Sequence, residues 1–166
     1  MTIAIRVEET KNVSTILKKG IKGKKHREHP IAKEFEKTTF LYPIDGLDQH
    51  LHFWPKNAKM KDINIDDNTY VIADVDNCFV GDLYLEDKPK EYLDNTTSLK
   101  KYTEKKGSSR YEFEEPEIVC TNDINQNKIL GTMSFTKLDA VYKKCKKLGG
   151  NQYTCIELGI KEHIKK

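Results

Sequence analysis

The sequence predicts a single α+β domain, and three observations predict it. Its 166 residues fit one domain and bury one core without metal or disulfide staples. Short β-branched and aromatic runs recur along it: Thr38 to Tyr42 (TTFLY), Tyr70 to Val75 (YVIADV) and Ile118 to Thr121 (IVCT). Helical apolar spacings lie between such runs without a regular βαβ alternation, which argues against a doubly wound sheet.

In order, Thr2 to Val7 reads as a strand with Ile3 and Ile5 on one face. Asn12 is placed to cap a short helix with Val13, Ile16 and Leu17 on its apolar side, and Gly20 to end it. A basic loop runs to Lys37, and the Thr38 strand stops at Pro43. Leu47, Leu51 and Trp54 have helical spacing, closed by Pro55. Phe79 and Val80 read as an edge strand, and Pro89 to Leu93 as a short helix. Asp94 to Arg110 is polar and reads as irregular, with Gly107, Ser108 and Ser109 as a flexible point. After Ile118 to Thr121 come a turn at Asn122 and Asp123, a strand from Ile129 to Phe135, and a helix from Leu138 to Leu148 stopped by Gly149 and Gly150. Tyr153 to Ile164 reads as a last short strand or helix.

The net charge of +3 conceals 29 basic and 26 acidic residues, so only their distribution is informative. From Lys18 to Lys37 the basic residues include Lys22, Lys24, Lys25 and Arg27, with His26 and His29 among them. Such a run attracts phosphates, and it also suits a solvated lysine-rich loop. The cysteines, Cys78, Cys120, Cys145 and Cys155, form no CxxC pair and have no zinc spacing. Cys78 and Cys120 sit in apolar surroundings, so reduced buried thiols and a cytoplasmic location are expected. The N-terminal stretch is too short for a signal peptide, and no apolar run approaches membrane-spanning length.

Phosphate-binding GxxxxGK[ST], GxGxxG and GxSxG patterns are missing. His50 and His52 are two residues apart, which on a helix points them away from each other. The acidic run Glu112 to Glu117 (EFEEPE) directly precedes an apolar strand. A carboxylate at a strand start is held rigidly against a cleft, as positioned catalysis requires, although strand edges also carry acids for solubility.

The order of these parts resembles the ADP-ribosyltransferase fold, including relatives that modify nucleic acids in bacterial toxin systems. IRVEETKNVSTILKKGI (Ile5 to Ile21) is similar to that family's opening strand and helix, with Arg6 at its Arg/His position and Gly20 at its glycine. TTFLYP resembles its second strand, YVIADVD its central strand, and EPEIVCTNDINQNKILG (Glu115 to Gly131) its closing element. The chain departs from the family in having Thr38 and Thr39 where Ser-x-Ser is usual, and Glu8 where an aromatic or Thr follows the first motif.

The resemblance implies split mixed or antiparallel sheets around a dinucleotide cleft. It implies transfer of ADP-ribose from NAD to a macromolecular acceptor, by a toxin or a factor in phage–host conflict. Glu117 would stabilise the charge that builds on the ribose carbon, and Glu115 would orient or deprotonate the acceptor. Arg6 would meet the NAD phosphates, Thr38 or Thr39 would support the glutamate or ribose, and Tyr42 would stack on nicotinamide. Arg110, Lys24, Lys25 and Arg27 would contact the acceptor. The basic run favours nucleic acid and the Glu115-x-Glu117 spacing favours protein arginine. An antitoxin or host target is the implied protein partner, and no membrane is expected. Two rivals remain: a small basic endoribonuclease toxin using His26, His29 or His52, and a non-catalytic binding or inhibitor protein on the same fold.

Overall fold

A computed structural model describes residues 1–44, 67–104 and 113–164. The expected helix around Leu47, Leu51 and Trp54, the His50 and His52 pair, the Gly107 point and Arg110 lie outside the described residues.

The described strands are β1 (Ile3–Glu9), β2 (Thr39–Pro43), β3 (Asn68–Asp74), β4 (Phe79–Asp82), β5 (Thr97–Ser98), β6 (Pro116–Cys120) and β7 (Ile129–Ser134). They form one seven-stranded sheet in the order β5-β4-β6-β2-β1-β3-β7. Every pairing in it is antiparallel, so the mixed alternative is not realised. β2 is the joint of the sheet. Its residues Thr39 to Leu41 pair with Cys120 to Ile118 of β6, whereas Tyr42 and Pro43 pair with Ile5 and Ala4 of β1.

The helices are α1 (Val13–Lys19), α2 (Pro89–Asn95), α3 (Leu99–Glu104), α4 (Phe135–Lys147) and α5 (Gln152–Lys161). α1 ends as its sequence indicates. Gly20 has φ 75°, and a side chain there would run into the Ile124 carbonyl, so glycine is required twice over. Ser134 and Asn151 cap α4 and α5 by accepting hydrogen bonds from the N–H groups of Lys137 and Thr154. The last segment is therefore a helix rather than a strand.

Strand alternation divides the core. Ala4, Leu41, Val71 and Ile118 face α1 and α3, burying Ile16, Leu99 and Tyr102. Ile5, Ile72 and Met133 face α4 and α5, burying Leu138, Ile156 and Ile160. On that second face, the β6–β4 half has a different cover, built from Ile31, Phe35 and Tyr92 over Val119, Phe40 and Phe79. One side of the sheet thus carries two separate covers, and β2 runs between them.

Three expectations are corrected. β4 is not an edge, because β5 pairs with it on the side away from β6. The segment from Asp94, expected to be irregular, supplies β5 and α3; its few apolar residues, Leu99 and Tyr102, are buried and anchor it. The cysteines are not free thiols either. Cys78 pairs with Cys120 and Cys145 with Cys155, with Cα atoms 4.5 and 5.4 Å apart. The thiol argument for a reducing cytoplasm therefore falls, since disulfides persist in oxidising surroundings. Among the described residues, no helix is long and apolar enough to cross a membrane.

The bridges span 42 and 10 residues of sequence, so on loop-closure entropy Cys78–Cys120 stabilises by about 4 kcal/mol and Cys145–Cys155 by about 3 kcal/mol. Thiol titration of the unreduced, denatured chain should find no free cysteine. Replacing Cys78 and Cys120 together by serine should lower the urea midpoint more than the same change at Cys145 and Cys155.

Candidate functional site

On the sheet's second face, beside the cover that the loop between α1 and β2 forms with α2, opens a cleft of about 560 Å³. Phe40 and Tyr42 of β2, alternate residues on one face, form part of its wall with Glu117 of β6. Lys25, His26 and Arg27 come to it from the loop between α1 and β2.

That loop is pinned at several points. Lys24 and Thr38 exchange backbone hydrogen bonds of 2.9 and 2.8 Å across its neck. The Lys25 ammonium donates to the carbonyls of Lys33 and Phe35 at 2.7 and 2.8 Å. Asp123 accepts from the Gly23 N–H at 3.0 Å and pairs with Lys22 and Lys37 at 3.1 and 3.2 Å. The Gly23 N–H, then the Lys22 and Lys37 charges, hold the Asp123 carboxyl down to about 2. Much of the basic run thus serves the fold, while Arg27 and Lys25 stand on the cleft wall.

The pinned loop delivers His29 onto Glu117. The Ile31 and Ala32 N–H groups donate to His29 Nδ1 at 3.3 and 3.1 Å. That nitrogen is therefore an acceptor and the ring proton sits on Nε2. Nε2 donates to Glu117 Oε1 at 2.7 Å, and the Tyr92 hydroxyl donates to the same oxygen at 2.9 Å. His29 and Glu117 are only 6% and 4% exposed, so these donors replace water at a buried carboxylate. The His29 ring packs between Phe40 and Tyr92, with centroids 4.8 and 5.2 Å away. Burial, then the Glu117 charge, pushes the Tyr92 phenol far above its ordinary value. The same two causes raise Tyr42, with Glu115 adding to them. His26 stacks edge-on against Phe40 at 4.6 Å. Burial lowers its pKa first, and the nearby Lys24 and Arg6 charges lower it further.

The structure brings Glu117, Tyr42, Lys25 and Arg27 together and leaves the other expected residues that it describes elsewhere. Glu115 is exposed; its N–H donates to Asp82 at 2.9 Å and its carbonyl accepts from Leu83 at 2.9 Å. Arg6 pairs with Val71 of β3, whose side chain lies in the core on the face opposite Tyr42. There the Arg6 guanidinium bonds Glu8 at 2.8 Å and the Phe40 carbonyl at 3.3 Å, filling the fork where β1 and β2 part. Burial would raise Glu8, but hydrogen bonds from Asn12 and Arg6 outweigh it and hold the carboxyl below its ordinary value. Thr38 is buried, with its hydroxyl 3.5 Å from the Lys24 carbonyl. Thr39 alternates with Phe40 and so faces away from the cleft, its hydroxyl buried with no hydrogen-bond partner among the described residues. Lys24 is exposed beside the neck of the loop.

Three contributors escape the sequence reading of the transferase site: His29 as a partner of Glu117, Tyr92, and Asp82. Buried Asp82 accepts N–H bonds from Tyr84, Glu114 and Glu115, which fixes the chain leading into β6. No spacing rule links these residues, because they meet only through the sheet. A glycine at Gly81, directly opposite Glu117 in the register, is the one local sign that something must approach there.

Two outcomes test this account. Thr39→Val replaces an orphaned hydroxyl with a methyl group of the same shape and should leave stability unchanged or raise it by about 1 kcal/mol, read as the urea midpoint. For Asp123, the folded carboxyl sits below its ordinary 3.8, so its stabilisation is complete above about pH 4 and is lost as pH falls through about 2. Asp123→Asn should therefore unfold at lower urea than wild type at pH 7, and the gap should close as pH falls over that window.

Compared with protein-family models, curated proteins and solved structures, the chain matches none, so its cleft is read from its own residues.

Proposed function

We propose that the cleft transfers ADP-ribose from NAD to a macromolecular acceptor, with nucleic acid favoured over protein arginine. One observation carries the reading: a buried, doubly hydrogen-bonded carboxylate, Glu117, shares a cleft wall with aromatic rings and cations. A volume of about 560 Å³ suits a small-molecule ligand. Breaking the ribose–nicotinamide bond builds positive charge on the ribose carbon, and a fixed carboxylate stabilises it. Tyr42 offers an aromatic face to a base, and Arg27 offers donors to the phosphates.

The parts differ from those that the resemblance implied. Arg6 is committed to Glu8 and the Phe40 carbonyl, and Lys25 to the Lys33 and Phe35 carbonyls, so the phosphate role passes to Arg27. Glu115 lies off the wall, which removes the main support for an arginine acceptor. The preference for a polyanion rests on the exposed basic run around Lys22 to Arg27, since the cleft wall itself also carries Glu28 and Glu86. The described strands form one seven-stranded sheet rather than the split sheets that the resemblance implied.

A second reading, RNA cleavage, is favoured by His26, which stands on the same wall with its pKa lowered toward the free base. One assay separates the two. Wild type incubated with labelled NAD and RNA, DNA or lysate should release nicotinamide and label nucleic acid, and Glu117→Gln should reduce both by about 100-fold or more. No nicotinamide release under any of these conditions would overturn the transferase reading. RNA cleavage without NAD, lost in His26→Ala, would establish the second.

A further inference from the structure

Both donors on Glu117 converge on one oxygen. The His29 Nε2–H and the Tyr92 O–H both reach Oε1, at 2.7 and 2.9 Å, which leaves Oε2 as the oxygen remaining for a ligand. A carboxylate held by one donor still rotates about its last bond. Two donors from different directions on one oxygen remove that freedom.

Three separate elements build this arrangement. The loop between α1 and β2 brings His29, whose tautomer is fixed from behind by the Ile31 and Ala32 N–H groups. α2 brings Tyr92, which is fully buried. β4 brings Gly81, paired with Glu117 across the strands. A side chain at Gly81 would collide with the Tyr92 hydroxyl and ring edge, so the glycine keeps open the space through which the phenol reaches the carboxylate. A phenol admitted by a glycine and a histidine held in one tautomer constitute a built clamp on one carboxylate oxygen.

We propose that His29 and Tyr92 are positioning residues that set the rotation of the Glu117 carboxylate and present Oε2 alone to the ribose of the donor; the ligand named here rests on the NAD reading above. The clamp acts on the bond-breaking step rather than on binding, because it orients a group whose contact counts most when charge develops on the ribose.

The experiment combines kinetics with a stability cycle. In nicotinamide release from NAD, His29→Leu should lower kcat by about 100-fold with KM within about threefold of wild type. His29→Gln restores an N–H near the Nε2 position and should recover most of that loss. Tyr92→Phe should also lower kcat with KM little changed, and Gly81→Ala, which keeps both donor groups but displaces the phenol, should match it. His29→Leu activity close to wild type, or His29→Gln as inactive as His29→Leu, would overturn the proposal. The urea cycle reads the clamp without NAD. His29→Leu leaves a buried carboxylate short of a donor and should unfold at clearly lower urea, whereas His29→Leu with Glu117→Leu should recover part of the loss. Strictly additive losses would remove the clamp. A recovering cycle with no nicotinamide release by wild type would uphold the clamp geometry, discard its role toward NAD, and count against the transferase reading instead.

Discussion

Burying a carboxylate costs several kcal/mol unless hydrogen-bond donors replace the water it loses. Glu117 is 4% exposed, and its two donors come from parts of the chain far apart in sequence. His29 is 88 residues away in sequence and Tyr92 is 25. The loop must fold back over β6 and α2 must lie across β4 for this one acid to be satisfied. Much of the surrounding structure follows from that demand. The neck at Lys24 and Thr38, the Lys25 contacts with two carbonyls and the ion pairs at Asp123 all hold the loop in the position that delivers His29.

The cleft is a consequence of how β2 is shared. Its first residues belong to the β6 side and its last two to the β1 side, so the sheet changes partners within one short strand. Arg6 occupies the fork that opens, tied to Glu8 and the Phe40 carbonyl. The C-terminal helices cover one half of the sheet face, and the loop with α2 covers the other. A groove opens beside that second cover, and alternation along β2 turns Phe40 and Tyr42 toward it while Thr39 and Leu41 turn away.

The strands and helices were legible because they depend on local pattern. TTFLY, YVIADV and IVCT each became a strand, and the segment before Gly20 became a helix ended by a positive-φ glycine, although the Asn12 side chain donates to Glu8 instead of capping it. The polar segment from Asp94 was misjudged because two buried residues, Leu99 and Tyr102, suffice to dock it, and composition averages over them. Among site residues, Glu117 was legible from its place at the head of an apolar strand. Arg6, Thr38 and Thr39 were legible only by resemblance, and strand parity or hydrogen bonding directed each elsewhere.

Sequence by itself determined that this is one α+β domain, where most of its elements lie, and that an acid heads the strand at Glu117. These are matters of periodicity, capping and propensity, which act over a few neighbouring residues. Tertiary structure alone decided that the cysteines pair, that Glu115 lies off the wall, and that His29 and Tyr92 share one oxygen of Glu117. Those outcomes depend on sheet register and face, where moving a strand by one residue exchanges its inside for its outside, and nothing local in the chain reports the choice.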